Sequence, residues 1–235
     1  MKRKTIFFLW LVAVAIFPLC GQQRRLQNRP YADDRLFHFG FSLGIHTQDL
    51  ILTQSGYVNE NGAVWFCEIP DYSPGFTAGI IGDLHLNRYL NLRLIPSIYL
   101  GDKRLVFREQ TSAETYEMRI RNNYLSVPLQ LKIASPRIDN FRPYFLMGGY
   151  GNIEIAPIKG KAIRLKPYDV GIELGVGCHF YLPLFTLSPE LIFRFGMGDM
   201  LVREQDDLKD ENLRKYRYSL SKATQRMITL SFNFE

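Results

Sequence analysis

The chain is poor in the residues that usually build reactive sites. It has three cysteines, four histidines and two tryptophans in 235 residues. No two histidines stand at a metal-binding spacing such as HxxxH, so neither a metal nor another cofactor is expected. A concentrated charge of one sign is also missing. The net charge is +6, but Lys and Arg are spread along the chain, which argues against a nucleic-acid partner. The glycine-rich stretch Met147–Gly151, "MGGYG", lacks the strand–loop–helix context and the following lysine of a phosphate loop. No stretch carries a long helical apolar stripe.

The one sustained apolar run is Ile6–Phe17, "IFFLWLVAVAIF", about a dozen residues and too short for a comfortable membrane span. Preceded by Lys2, Arg3 and Lys4, it reads as the core of a signal peptide over 1–21, cleaved after Gly21 for Sec export. Cys20 raises lipoprotein processing as a rival, but bulky Leu19 stands where that processing needs a small residue. Residues 22–35, "QQRRLQNRPYADDR", read as a polar, basic periplasmic tail, solvated or serving as a docking segment.

What the chain has in abundance is alternation. In Leu36–His46, "LFHFGFSLGIH", Phe37, Phe39, Phe41, Leu43 and Ile45 alternate with small or polar residues. A period of two means a strand with two unlike faces. The pattern recurs in Phe76–Asn87, Leu90–Leu100, Tyr124–Ala134, a strand from about Arg142, Tyr168–Tyr181, Thr186–Met197 and Arg226–Glu235. The strand from Arg142 has apolar residues in both rows, so its facing is ambiguous. Connections alternate long and short, as in an up-and-down membrane barrel.

The polar rows are rich in glycine, among them Gly40, Gly44, Gly79, Gly171, Gly175, Gly177 and Gly196. On a wet outer face these would weaken strands without return. In a narrow lumen they make room for large polar side chains. The last strand sets Ile228, Leu230, Phe232 and Phe234 on one face and resembles the assembly signal read by the barrel assembly machinery, with Glu235 one residue beyond the usual terminal aromatic. The expected fold is therefore all-β: an eight-stranded antiparallel up-and-down transmembrane β-barrel over 36–235, with long external loops and short periplasmic turns. It would sit in the outer membrane with its apolar rows against lipid. Pro96, Pro128 and Pro189 fall inside strands, where a ladder N–H is wanted, and count against the barrel unless local bulges absorb them.

This topology sends His38, Asp83, His85, Arg93, Lys132 and His179 to the periplasmic end of the lumen, and Glu173, Glu190 and Arg194 nearer its middle. Lumen charges in so narrow a barrel need partners, so the first reading is a mutually satisfied polar plug. A periplasmic docking surface or pH-sensitive contact is the second. Eight strands leave no wide aqueous channel. A lipid-modifying enzyme would need an activated Ser or His, for which Ser42, His46 and Ser126 are the inward-facing candidates; catalysis is not expected. Cys67 falls in the first external loop and Cys178 near the periplasmic end, too far apart for a disulfide. Trp65, Phe66 and Cys67 are expected to fold over the rim, and Tyr89, Tyr99, Tyr144 and Tyr181, near strand ends, to anchor the membrane interfaces or, some of them, to pack in the lumen.

Taken in order, Leu90–Pro96 "LNLRLIP", Tyr124–Lys132 "YLSVPLQLK", Arg142–Tyr144 "RPY", Asp169–Leu182 "DVGIELGVGCHFYL", Ser188–Leu191 "SPEL" and Ser231–Glu235 "SFNFE" make a set. Single members are shared by many barrels; the ordered set with "GVGC" and the "FE" terminus is more specific. It resembles the PorT family, outer-membrane barrels of the type IX secretion system of the Bacteroidetes. The resemblance implies a non-enzymatic accessory or assembly component, needed to export cargo with a conserved C-terminal domain such as proteases, adhesins and gliding components. Its partners would be other secretion proteins of the outer membrane and periplasm, together with outer-membrane lipid. A general surface barrel with ligand-binding loops, or a lipid A-modifying enzyme, are the alternatives.

Overall fold

The computed structural model describes residues 27–58, 64–69, 73–110, 115–121, 123–155, 163, 165–202, 216 and 218–235. The signal peptide expected over 1–21 lies outside them. Twelve strands follow in order: β1 Phe37–Gln54, β2 Trp65–Glu68, β3 Pro74–Asn87, β4 Leu90–Leu94, β5 Ser97–Leu100, β6 Asp102–Glu109, β7 Thr115–Arg121, β8 Tyr124–Ala134, β9 Phe141–Glu154, β10 Tyr168–Tyr181, β11 Thr186–Gly196 and β12 Leu220–Phe234.

Nine of them form an antiparallel ring, β1-β12-β11-β10-β9-β8-β4-β3, closed by β1 on β3, with β5 continuing β4 between β3 and β8. Counting β4 and β5 as one stave gives a ring of eight. Closure leaves the sheet no free edge to pair with another chain. Tight turns join the staves at one end. At the first, the Asn87 side chain accepts hydrogen bonds from the amides of Tyr89 and Leu90 at 2.8 and 2.9 Å, a local turn chemistry that asparagine supplies. Short turns mark the periplasmic end. The outward rows stay bare, with Phe39 73% and Ile80 70% exposed. A girdle of Phe, Leu, Ile and Val around a closed ring is a lipid-facing wall, so the first-strand aromatics meet lipid.

Alternation predicts the bounds of β8 and β10 as they stand, but three features differ from expectation. The third predicted strand breaks at Ile95–Pro96 into β4 and β5. There the Pro96 carbonyl accepts from the amide of Ile80, while β8 pairs with β5 up to Ser126 and resumes with β4 at Leu129. Pro128 therefore sits opposite the same break, where no ladder partner needs its missing N–H. Pro189 is accommodated by an opening of the β10–β11 ladder at Cys178 and His179 without a change of register. Neither is absorbed by a bulge.

Second, β1 runs to Gln54 and β12 starts at Leu220, so this pair rises beyond the lipid wall. Outward positions there become mostly polar (Thr47, Asp49, Thr53, Lys222, Thr224), with Ile51 the exception in β1, and the inward Leu50 and Leu52 beside it are apolar, so the alternation lapses. Arg226 and Asp49 pair across the two strands at 2.6 Å.

Third, the long external connections are not all loop: β2, β6 and β7 form a separate sheet. Its inner face sets Trp65, Cys67, Leu105, Phe107, Met118 and Ile120 against Tyr99, Tyr124, Met200, Leu201, Tyr216 and Leu220 in one apolar core. Trp65, Phe66 and Cys67 are thus a strand of that sheet. Its outer face carries the pairs Arg104–Glu117, Arg108–Glu68 and Arg119–Asp102 at 3.6 to 3.8 Å, each worth at most about 1 kcal/mol. The core beneath holds the sheet.

Lys103 is drawn into that core and is 2% exposed. Burial pulls its ammonium down to about 7, against the opposing pull of Asp49, Asp169 and Glu154. Between about pH 7 and the ordinary lysine range the unfolded chain then holds more protons than the folded one, so stability rises with pH across that window. Trp65 reports on this region, because Trp10 belongs to the expected signal peptide. The urea midpoint followed by Trp65 fluorescence is expected to be higher at pH 9 than at pH 6.5, and Lys103→Met is expected to flatten that dependence.

Candidate functional site: the lumen and its periplasmic mouth

The register assembles the lumen from inward positions of neighbouring strands. Asp83 of β3 lies directly across from Arg93 of β4, and Asn91 across from Lys132 of β8. Arg93, fully buried, donates through both terminal nitrogens to Oε1 of Glu190, and its Nε lies 3.7 Å from Oδ2 of Asp83. Lys132 donates to the same Asp83 oxygen at 2.5 Å, and Asn91 donates to Oδ1. His179 sits 3.4 Å from the Lys132 ammonium through Nε2 and 2.6 Å from the Ser188 hydroxyl through Nδ1. The Tyr144 hydroxyl donates to Glu190, while its ring lies under both cations and beside His179.

A second layer sits nearer the middle. Glu173 of β10 stands across from Arg194 of β11. Arg194 donates through Nε to Glu173 at 2.7 Å and through Nη1 to the Ser126 hydroxyl at 3.2 Å. Gln130 donates to the other Glu173 oxygen. The Arg194 guanidinium stacks over the rings of Tyr99 and Tyr150. In both layers each buried charge has an opposite charge beside it, the condition under which buried ions are tolerable, while Nε of Arg93 and Oε2 of Glu190 have no hydrogen-bond partner among the described residues.

Close approach by glycine makes these crossings possible. Gly177 faces the Tyr144 ring so tightly that a β-carbon would stand 2.6 Å from it.

The mouth below is covered by the chain's own N-terminal segment, Asn28–Asp33, which acts as a strap. Arg29 donates to the Thr186 hydroxyl and to the Glu235 carbonyl at 2.7 and 2.8 Å. Asn28 binds the Asn140 side chain and the Tyr181 carbonyl. His38 bonds the Ala32 carbonyl at 2.6 Å through Nε2. Asp33 accepts from Arg142 and from the Tyr181 hydroxyl. This part of the tail is docked on the barrel and is not freely solvated. Between strap and lumen lies a cavity of about 20 Å³ lined by His38, Asn91, Lys132, Arg142 and His179 among others, room for about one water.

Of the nine charged and histidine residues expected in the lumen, Asp83, Arg93, Lys132, His179 and Glu190 form the lower cluster, and Glu173 with Arg194 the upper. Glu190, expected with the middle group, joins the lower one through Arg93. His38 turns to the strap. His85 is half-buried at the start of the β3–β4 turn, and its imidazole Nδ1 finds no partner among the described residues. Asn91, Ser188, Arg137, Arg142 and Asp33 carry no signal in the sequence reading, and Tyr144 and Gln130 carry none for their roles in these clusters. Tyr144 and Arg142 belong to the strand with ambiguous facing. Of the four tyrosines expected either at the interfaces or in the lumen, Tyr99, Tyr144 and Tyr181 are buried inward, and Tyr89 is exposed at a turn.

Ser42 and His46 are buried in the lumen, away from the lipid wall, and Ser126 is taken by Arg194. Among the described residues no three His, Cys, Asp or Glu side chains gather in a metal-holding group. Cys67, in the external core, and Cys178, near the periplasmic turn, are free thiols; burial pushes the Cys67 thiol up to about 12.

A family model described as the outer membrane protein beta-barrel domain matches residues 21–202. Comparison with curated protein sequences finds no match. Among solved structures, the outer membrane protein OprG from Pseudomonas aeruginosa is similar at 10% identity and a TM-score of 0.47, over 83% of this chain and 92% of that one. The outer membrane protein AlkL, solved in DMPC bilayers, is similar at 12% identity and a TM-score of 0.39, over 92% and 95%. Ail, the attachment invasion locus protein of Yersinia pestis, gives 13% identity and a TM-score of 0.35, over 83% and 96%.

Proposed function

Because this chain belongs to the outer membrane protein beta-barrel domain family and resides in the outer membrane, we propose that it serves there as an accessory or assembly component of the type IX secretion system. The ordered set from "LNLRLIP" to "SFNFE", resembling the PorT family, supports the pathway. The observation that carries the manner of action is the filled lumen. Two layers of paired charges cross it, an apolar core sits over the external end, and the strap covers the periplasmic mouth. Such a barrel acts by holding partners at the membrane, and its periplasmic end is the end that docks them. It is neither a pore nor an enzyme in this reading.

Cargo location in an in-frame deletion strain, complemented in trans, tests this. Proteases bearing the secretion domain are expected to accumulate in the periplasm and to return to the surface and medium with the intact gene. Normal secretion in the deletion strain would overturn the assignment. A second reading, a surface barrel with ligand-binding loops, is favoured by the ordered charged face of the β2–β6–β7 sheet. It predicts altered adhesion with secretion unchanged.

A further inference from the structure

One contact at the mouth has a chemistry separable from the rest. The Asp33 carboxylate is received by side chains of the barrel: Oδ1 accepts from Nη1 of Arg142 at 2.9 Å and from the Tyr181 hydroxyl at 2.5 Å, and Oδ2 lies 3.8 Å from Nη1 of Arg137. The main donors of the receptor are braced by the barrel. Arg142 is braced by the carbonyls of Ser135 and Arg88 at 2.9 and 2.6 Å, both in barrel turns. Arg137 lies over the Tyr181 ring at 3.7 Å and donates to the Asp139 carbonyl and the Asn140 side chain, and also to the strap carbonyls of Arg29, at 3.2 Å, and Asn28. Both arginine side chains are less than a tenth exposed. The barrel thus fixes Arg142 and the Tyr181 ring, the strap backbone helps to hold Arg137, and Asp33 is the occupant.

We propose that the periplasmic mouth is a carboxylate-binding site occupied in cis by Asp33, and that an acidic extended segment of a periplasmic partner takes the same place when the strap lifts. Oriented guanidinium forks with a tyrosine hydroxyl suit a carboxylate. The strap is held by side chains at a few points rather than by a ladder, and Tyr31 within it is 78% exposed. It can leave without unzipping a strand. An empty site would leave two oriented guanidiniums without their carboxylate, so exchange for another carboxylate is favoured over simple opening. Arg142 and Tyr181 stand on inward rows, which directs the site to the barrel axis and to a peptide rather than to the lipid wall.

This rests on the reading that the periplasmic end is the docking end. It is tested on purified protein, so its failure is distinct from a failure of the secretion assignment. The mature chain and its Asp33→Ala variant, folded in detergent, would be titrated with a fluorescein-labelled peptide of residues 27–35, "QNRPYADDR". The variant is expected to bind at least tenfold tighter than the wild type. The same peptide carrying Asp33→Asn should bind at least tenfold weaker, and a deca-aspartate peptide should compete. Adding Arg142→Gln to Asp33→Ala should abolish the gain. If that double variant fails to fold, as judged by heat-dependent gel mobility, the comparison of the two peptides decides. Equal binding by wild type and variant, or binding indifferent to the peptide's aspartate, would overturn the proposal.

Discussion

Replacing Arg93 by methionine is expected to cost the barrel about 3–5 kcal/mol, the range for removing one partner of a buried ion pair. Arg93 is fully buried and is the cation shared by Glu190 and Asp83. Before the change the lower cluster balances: Arg93 and Lys132 against Asp83 and Glu190. After it, Lys132 stays with Asp83, and Glu190 keeps only the Tyr144 hydroxyl for a whole negative charge. The size of the loss reflects that stranded carboxylate rather than the net worth of the pair. The double change Arg93→Met with Glu190→Met therefore restores balance, and it is expected to recover at least half of the loss. Urea unfolding of the protein in lipid vesicles measures both. A double variant as unstable as the sum of its singles would show that the network is not an electrostatic unit.

Gly177→Val is expected to be the other large effect. The first added carbon would stand 2.6 Å from the Tyr144 ring, and that ring is fixed by His179 beside it and by its hydroxyl on Glu190. Overpacking alone costs about 1–3 kcal/mol, and displacing the ring removes a hydrogen bond to a buried charge, worth about 1.5–3 kcal/mol more. Gly177→Ala should be milder in the same direction. Because the penalty runs through the ring, Gly177→Val combined with Tyr144→Ala is expected to cost clearly less than the two changes added. Simple additivity would place the strain elsewhere.

Much of the barrel was legible because lipid on one side and a polar lumen on the other impose two different demands on alternate residues. β8 and β10 obey both without exception, so their bounds could be read directly. Where one demand lapses, the signal fades. β1 beyond His46 and β12 before Arg226 leave the lipid, and Thr47, Asp49 and Lys222 no longer contrast with their neighbours. β2, β6 and β7 pack on a core fed by Tyr216, Met200 and Leu201, which no local period announces. β9 is ambiguous because Tyr144, Leu146 and Tyr150 are large apolar or aromatic residues facing inward, the two tyrosines beside cations and Leu146 in a small apolar cluster with Ala134 and Ile192. The lumen charges could be foreseen as a group from strand direction. Their pairing depends on register, and the occupant of the mouth depends on Asp33 meeting Arg142 across 109 residues of chain.

The account's central claim is that this barrel works through its periplasmic end. Photo-crosslinkers installed by Tyr31→p-benzoylphenylalanine on the strap and by the corresponding change at Leu184, 89% exposed on the β10–β11 turn, would sample that end in living cells. The same change at Arg119, on the outer face of the external sheet, would sample the other. Defined protein adducts from Tyr31 and Leu184, absent or weak from Arg119, are the predicted result. Adducts from Arg119 alone would contradict it and give the working surface to the external sheet.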